Sequence, residues 1–168
     1  MSVISIAIGN ICSLLAMVTD SISATQKTAK RVLLMQSLSQ LIYCIGTIVL
    51  KGYSAAVQNA ISILRNFVAI KNINNKAIEW TLVILGVALG LGFNNLGLLG
   101  LLPVIANLQY TLAIFRFKDN ERAIKISFMI SIGLFAIFNI VIYNAVGAIG
   151  NGVVCISTAI NLFKTRNK

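Results

Sequence analysis

The stretch RVLLMQSLSQLIYCIGTIVLKGYSAAVQNAISILRN, Arg31 to Asn66, recurs in pattern further along the chain. Moved by 92 positions, its Ser39, Tyr43, Gly52-Tyr53-Ser54-Ala55 and Asn59 fall on Ser131, Phe135, Asn144-Ala145-Val146-Gly147 and Asn151. Each copy has a basic entry, Lys30-Arg31 in one and Arg122 with Lys125 in the other. A long apolar run follows, then a short small or polar break, then a second apolar run carrying one Asn. Asn59 follows Tyr43 by 16 residues, and Asn151 follows Phe135 by the same 16. Self-similarity at a fixed offset is the mark of a fold built from repeated units.

Outside this stretch the composition has the same character. Hydrophobic residues make up 58 % of the chain, charged residues only 11 %, and the mean hydropathy is +0.89. Soluble domains carry about 25 % charged residues, so these values point to a membrane protein. Between Met1 and Val18, Arg31 and Leu50, and Leu82 and Phe93 no charged residue intervenes. A net charge of +10 would ordinarily raise nucleic-acid binding. Here the basic residues stand at the ends of apolar runs rather than on one face, which makes them a topology signal and excludes nucleic acid as a partner. Cys12, Cys44 and Cys155 each lie inside an apolar run without CxxC spacing, so they read as small hydrophobes and imply neither disulfide nor metal. The N-terminal run lacks the positive n-region and cleavage site of a signal peptide and is expected to stay as a membrane helix.

A spanning helix takes roughly 20 residues. Seven runs meet or approach that length: Val3 to Thr19, Arg31 to Leu50, Ser54 to Ile70, Ala77 to Phe93, Leu96 to Phe115, Ala123 to Tyr143 and Ala145 to Phe163. Charge placement gives a separate argument for seven. With the N-terminus outside, the inner loops and tail hold Lys27, Lys30 and Arg31; Lys71 and Lys76; Arg116, Lys118, Arg122 and Lys125; and Lys164, Arg166 and Lys168. Lys51 alone stays outside, and Arg65 is the one basic residue well within a span. This is the positive-inside distribution, and six or eight spans would break it.

Placed on these spans, the repeat divides the chain into three parts. Residues 1–76 form a first three-helix unit, 77–95 a linker span, and 96–168 a second three-helix unit with a basic tail. An odd number of helices per unit, joined by one crossing, keeps both units parallel. The fold expected is therefore all-α and integral to the membrane, a three-one-three arrangement. Gly86 and Gly90 in the fourth span, and Gly147 and Gly150 in the seventh, offer small surfaces for close helix packing.

This plan resembles the SWEET and PQ-loop superfamily of small-molecule transporters. Within that class, Leu101-Leu102-Pro103-Val104-Ile105 and Asn59-Ala60-Ile61 with its downstream Arg65 look like the bacterial inner-membrane family named after YgjV. The resemblance implies an inner-membrane location with the N-terminus outside and the C-terminus cytoplasmic. It also implies a solute site lined by one Asn on the third and one on the seventh helix, with aromatic and Ser residues on the second and sixth. Asn59 and Asn151 match the Asn pair, Tyr43 and Phe135 the aromatics, and Ser39 and Ser131 stand one turn before those aromatics. SWEET transporters hinge on a proline in each of four helices, whereas this chain has only Pro103, the single hinge the resemblance leaves.

The residues themselves support polar inward faces. Asn59, Ser62 and Asn66 share one face of the third helix, Asn151, Thr158 and Asn161 one face of the seventh, and Gln36, Gln40 and Tyr43 one stripe of the second. Polar groups at membrane depth need partners or water, so these faces look inward, either as interhelical glue or as a binding cavity. The matched Asn pair with its repeated partners favours the cavity, because transporters bind near the midplane between repeats. Arg65 lies six residues before Lys71 and reads as an anchor that snorkels to the inner surface, or as a contact to an anionic or polar substrate. Asp20 and Glu79 stand at helix ends and read as solvated.

Enzymatic chemistry has little to stand on. The chain has no His and only four carboxylates, so metal clusters and Ser-His-Asp arrangements are not available, and no cofactor is implied. Gly90-Leu91-Gly92 lacks the third glycine and the preceding strand of a dinucleotide loop. The expectation is a facilitative or ion-coupled transporter of a small neutral polar solute such as a sugar, nucleoside or vitamin. Its partners would be the bilayer and that solute, with room for an oligomer. The competing class is a membrane scaffold or complex subunit that transports nothing.

Overall fold

Seven α-helices and one short 3₁₀ turn carry the described residues, with no strand among them. The computed structural model describes residues 1–24, 29–71, 73, 75–117 and 120–166. Lys27, Lys118 and Lys168, three of the basic residues counted for topology, lie outside the described residues, as do Asn72, Asn74 and Asp119. The helices are α1 (Val3–Ala24), α2 (Ala29–Val49), α3 (Tyr53–Ile70), α4 (Lys76–Gly92), α5 (Leu101–Arg116), α6 (Glu121–Val141) and α7 (Ala145–Arg166), with the 3₁₀ turn Gly97–Gly100 before α5.

Local chemistry sets several of these bounds. Asn75 and Asn120 cap α4 and α6, their side-chain oxygens accepting from the backbone N–H of Ala77 at 2.8 Å and Ala123 at 3.0 Å. α1 runs past the expected stop at Thr19 because its polar groups stay inside the helix. Thr19 and Ser21 donate to the carbonyls of Leu15 and Met17, at 2.8 and 2.9 Å, one turn back. The fifth helix starts later than expected. Gly97 takes φ +57°, and Asn94 folds over it, donating to the Gly97 carbonyl at 2.8 Å and accepting from Leu96 N–H at 3.0 Å. A Cβ on Gly100 would lie 1.8 Å from Asn94 Oδ1, so this turn requires the glycine.

α2 and α6 share both bounds at an offset of 92 residues, α3 and α7 share their starts, and α1 and α5 share their ends. The turns after α2 and α6 match bond for bond. Lys51 (φ 56°) and Tyr143 (φ 60°) both take the left-handed conformation. Gly52 N–H donates to the Thr47 carbonyl at 2.7 Å, and Asn144 N–H to the Asn139 carbonyl at 2.8 Å. Each turn is also tied to the other half of the chain. Asn95 donates to the Lys51 carbonyl at 2.8 Å, and Asn10 to the Tyr143 carbonyl at 3.0 Å.

Packing extends the correspondence. Each helix packs on its neighbour in sequence from α1 to α7, and α1 also meets α7 while α3 meets α5. Helices α1, α2, α3, α5, α6 and α7 thereby close a ring, and α4 lies against α3 and α5. At the end of the ring where the two left-handed turns lie, Leu50, Ala55, Phe138 and Ile142 form an apolar cluster, with Leu96, Leu102 and Phe135 packed on it.

The distribution of side chains is the reverse of a water-soluble core. Ser13, Ser37, Ser39, Gln58, Asn59, Asn107, Ser131 and Asn139 are buried, while Ile4, Ile84, Leu98, Ile140, Ile149 and Ile156 are exposed. Aliphatic surface on this scale needs lipid around it. By length and composition α1 over Val3–Ile22 and α6 over Arg122–Val141 can each cross a membrane. Leu33–Val49, Gly97–Ala113 and Ala145–Ile160 are shorter apolar helices.

Candidate functional site

Four of the six residues expected to bind solute have polar groups the fold leaves unengaged. Asn59 on α3 is 7 % exposed and Ser131 on α6 is 5 % exposed. Tyr43 on α2 and Asn151 on α7 are half-buried. Neither amide, nor the Ser131 and Tyr43 hydroxyls, makes a hydrogen bond among the described residues. Asn59 and Asn151 stand on α3 and α7, two helices on opposite sides of the ring. On the same helix as Asn59, the wholly buried Ser54 hydroxyl also lacks a partner.

The remaining expected residues are placed differently. Ser39 Oγ donates to the Asp20 carboxylate of α1 and lies 2.9 Å from its own Gln36 carbonyl, so its proton has a partner. Phe135 packs on the apolar cluster at the turn end. No hydrogen bond joins any two of Asn59, Asn151, Tyr43, Ser39 and Ser131 among the described residues. Pro103 is buried in the first turn of α5, where a missing N–H breaks no helix bond. The 3₁₀ segment Gly97–Gly100 immediately precedes α5. The other face residues expected to look inward include Asn161, whose side chain lies outside the described set, and Asn66, whose amide donates to Ser37 Oγ at 3.4 Å.

Asp20 is not a solvated helix end. It lies inside α1, half-buried, because the helix continues to Ala24. Glu79, by contrast, stands in the first turn of α4, where a carboxylate suits the helix dipole.

The densest polar arrangement lies at the α3–α5 seam, and most of its members were not singled out from the sequence. Gln58 donates to the Gly86 carbonyl of α4 at 2.8 Å and accepts from the Asn107 amide at 2.8 Å. Asn107 Oδ1 lies 3.4 Å from both Ser62 Oγ and Arg65 Nη1. Arg65 Nη1 also lies 3.3 Å from Thr111 Oγ1, and the guanidinium carbon sits 5.3 Å from the centre of the Tyr110 ring. Arg65 therefore reaches sideways to α5 rather than along α3 to the surface. The readable signal was the spacing of Gln58, Ser62 and Arg65 at i, i+4 and i+7, with Asn107 and Thr111 at i and i+4. A cavity of about 10 Å³ lies beside the network, between Gly86, Val104, Asn107 and Thr111, room for about one water molecule.

α4 reaches this seam through the glycines expected to pack closely. A Cβ on Gly90 would lie 2.5 Å from Gln58 Nε2 and 2.7 Å from Val104 Cγ2, and one on Gly86 would touch Gln58 Oε1 at 3.6 Å.

Buried polar side chains, exposed aliphatic ones and two helices of membrane-crossing length suit a membrane protein. The chain belongs to the family Imp-YgjV, bacterial inner membrane protein, whose model matches residues 7–168. Comparison with curated proteins and with solved structures finds no match.

Proposed function

We propose that the protein is a transporter of a small neutral polar solute, built as two parallel three-helix repeats of SWEET-like plan with α4 as the linker. Seven crossings with the basic loops inside would put the N-terminus outside and the C-terminus in the cytoplasm, and the apolar cluster would then close the outer end. The matched helix bounds, the paired left-handed turns and the exchange of the α1–α7 and α3–α5 contacts support the two-repeat reading. The protein is proposed to act without enzymatic chemistry.

The observation that carries the transport reading is the unengaged Asn59 amide. Interhelical glue needs a bonded amide, and in this ring Gln58, Asn66 and Asn107 have such bonds. Asn59 has none among the described residues while 7 % exposed. An unbonded amide at membrane depth is costly unless water or a solute meets it. Asn151 across the ring, the Ser131 hydroxyl and Tyr43 would complete the site.

Thermal-shift screening of the purified protein against sugars, nucleosides and vitamins identifies a solute, and uptake into proteoliposomes then measures transport. With Asn59→Leu, uptake is expected to be lost while folded yield stays near wild type. A fall in yield and melting temperature with unchanged uptake would assign Asn59 to holding helices together. Labelling single cysteines placed in the Lys51 and Asn144 loops against those at Lys118 and Lys164 tests the topology, and labelling of all four from one face would refute seven crossings.

A further inference from the structure

Arg65 uses one of its nitrogens. Nη1 faces Asn107 Oδ1 and Thr111 Oγ1, and the plane of the group lies over Tyr110. The other donors, Nε–H and the two of Nη2, have no acceptor among the described residues, and no carboxylate pairs with the group there. That remaining edge, Nε with Nη2, is the planar fork that grips two oxygens of a carboxylate or phosphate at once. The residue is half-buried and neither Nε nor Nη2 is among the fully enclosed atoms without a partner, so the edge can be reached. Its orientation is already set by three residues of α5. Thr111 stands five residues before the end of α5 at Arg116, about 8 Å of helix. This depth is within reach of an anionic group entering from the basic end of the bundle, where Lys71, Lys76 and Arg116 raise the local concentration of anions. An unpaired guanidinium in a low-dielectric surrounding is unfavourable by itself, and a bound oxyanion would compensate it.

We propose that Arg65 anchors an oxyanion site at the α3–α5 seam, separate from the Asn59 site, which takes a phosphate or carboxylate group through its Nε/Nη2 edge. Asn107, Thr111 and Tyr110 are positioning residues that hold the fork. The oxyanion belongs either to an anionic phospholipid or to a free solute, and two arms of one experiment separate these sources.

In the lipid arm, full-length protein in nanodiscs containing phosphatidylcholine and phosphatidylglycerol is transferred to native mass spectrometry, and retained phosphatidylglycerol is counted. In the free-anion arm, protein in neutral detergent is titrated with inorganic phosphate and with succinate, and binding is followed by thermal shift. Wild type, Arg65→Met, Arg65→Lys and the surface control Lys71→Ala are compared in both. Arg65→Lys keeps the charge but not the fork, so it decides the question even if Arg65→Met does not fold. The proposal expects one arm in which wild type and Lys71→Ala bind alike and Arg65→Lys binds about tenfold more weakly, the size of one charge-assisted pair. Lipid retention with that pattern identifies a headgroup, and phosphate- or succinate-dependent stabilisation with it identifies a free anion. Equal binding by wild type and Arg65→Lys in both arms, or no binding by wild type in either, would overturn it.

Discussion

The α3–α5 seam and the α7–α1 seam occupy equivalent places at an offset of 92 residues, and away from the Asn10–Val146 bond at the turn end they are built from opposite chemistry. Gln58, Ser62 and Arg65 on α3 correspond to Gly150, Val154 and Ser157 on α7; Asn107, Tyr110 and Thr111 on α5 correspond to Leu15, Val18 and Thr19 on α1. One seam is a network of amides, hydroxyls and a guanidinium. The other packs Gly150 against Met17 and leaves Leu15, Val18 and Val154 exposed. The difference lies in α4, which packs on α3 and α5 and has no counterpart beside α1 and α7 among the described residues. α4 offers the Gly86 carbonyl to Gln58 and places Leu82, Val83 and Val87 beside Asn107 and Thr111. A polar seam without such cover would leave hydrogen-bonding groups facing hydrocarbon, which is unfavourable by several kcal/mol for each unsatisfied group. α4 thus covers one of the two seams, and the polar network is found at the covered one.

The sharpest way to break this comparison is Asn107→Leu. It strips Gln58 and Arg65 of partners at once, and stability in detergent is expected to fall by about 3 kcal/mol. Leu15→Asn at the equivalent place in α1 is expected to gain no partner, so a stabilised protein would contradict the contrast. Next in size is glycine packing. Gly90→Ala drives a Cβ into Gln58 and Val104, and overpacking of this kind lowers stability by about 2 kcal/mol. Gly150→Ala meets the thioether of Met17 at 2.8 Å, which can turn aside, so a loss under about 1 kcal/mol is expected. Thermal melts of the two variants side by side decide it.

The paired turns sharpen the comparison in the other direction, since there the halves agree. Asn10→Leu removes bonds to the Tyr143 carbonyl and from the Val146 N–H, at 3.0 and 2.9 Å, whereas Asn95→Leu removes the one to Lys51. Losses of about 1.5 and 0.7 kcal/mol are expected by chemical unfolding. The smallest effect is a gain. Lys51→Gly and Tyr143→Gly each relieve a side chain from the left-handed region, and both should stabilise by about 0.5 kcal/mol. Opposite signs at the two positions would end the equivalence of the turns.

Much of the architecture was legible because hydrophobic run length and polar breaks act locally. The start of α7 at Ala145 and the packing role of Gly86 and Gly90 were readable from spacing alone. Two kinds of feature were not. Asp20 looked like a helix end, because Asp, Ser and Thr in sequence resemble a loop until their hydroxyls are seen bonded to carbonyls one turn back. The Gln58–Asn107–Arg65 network depends on α3 meeting α5, a long-range pairing that no single helix encodes. Its stripe on α3 borders that of Asn59, Ser62 and Asn66, and Ser62 belongs to both, so periodicity could not separate the unbonded Asn59 from its bonded neighbours.

The proposal that Asn59 and Asn151 line one interior space, while the α3–α5 amides Gln58 and Asn107 are bonded to each other, is open to a direct measurement. In a background of Cys12→Ala, Cys44→Ala and Cys155→Ala, single cysteines replace Asn59, Asn151, Gln58 or Ile149 in turn. A membrane-impermeant thiol reagent is then applied to inside-out and to right-side-out vesicles. On the proposed topology, which puts the apolar cluster at the outer end, N59C and N151C should react from the cytoplasmic side, with Q58C and I149C, at a position proposed to face lipid, inert from both. Inert N59C and N151C, or reaction of the two from opposite faces, would contradict a shared site.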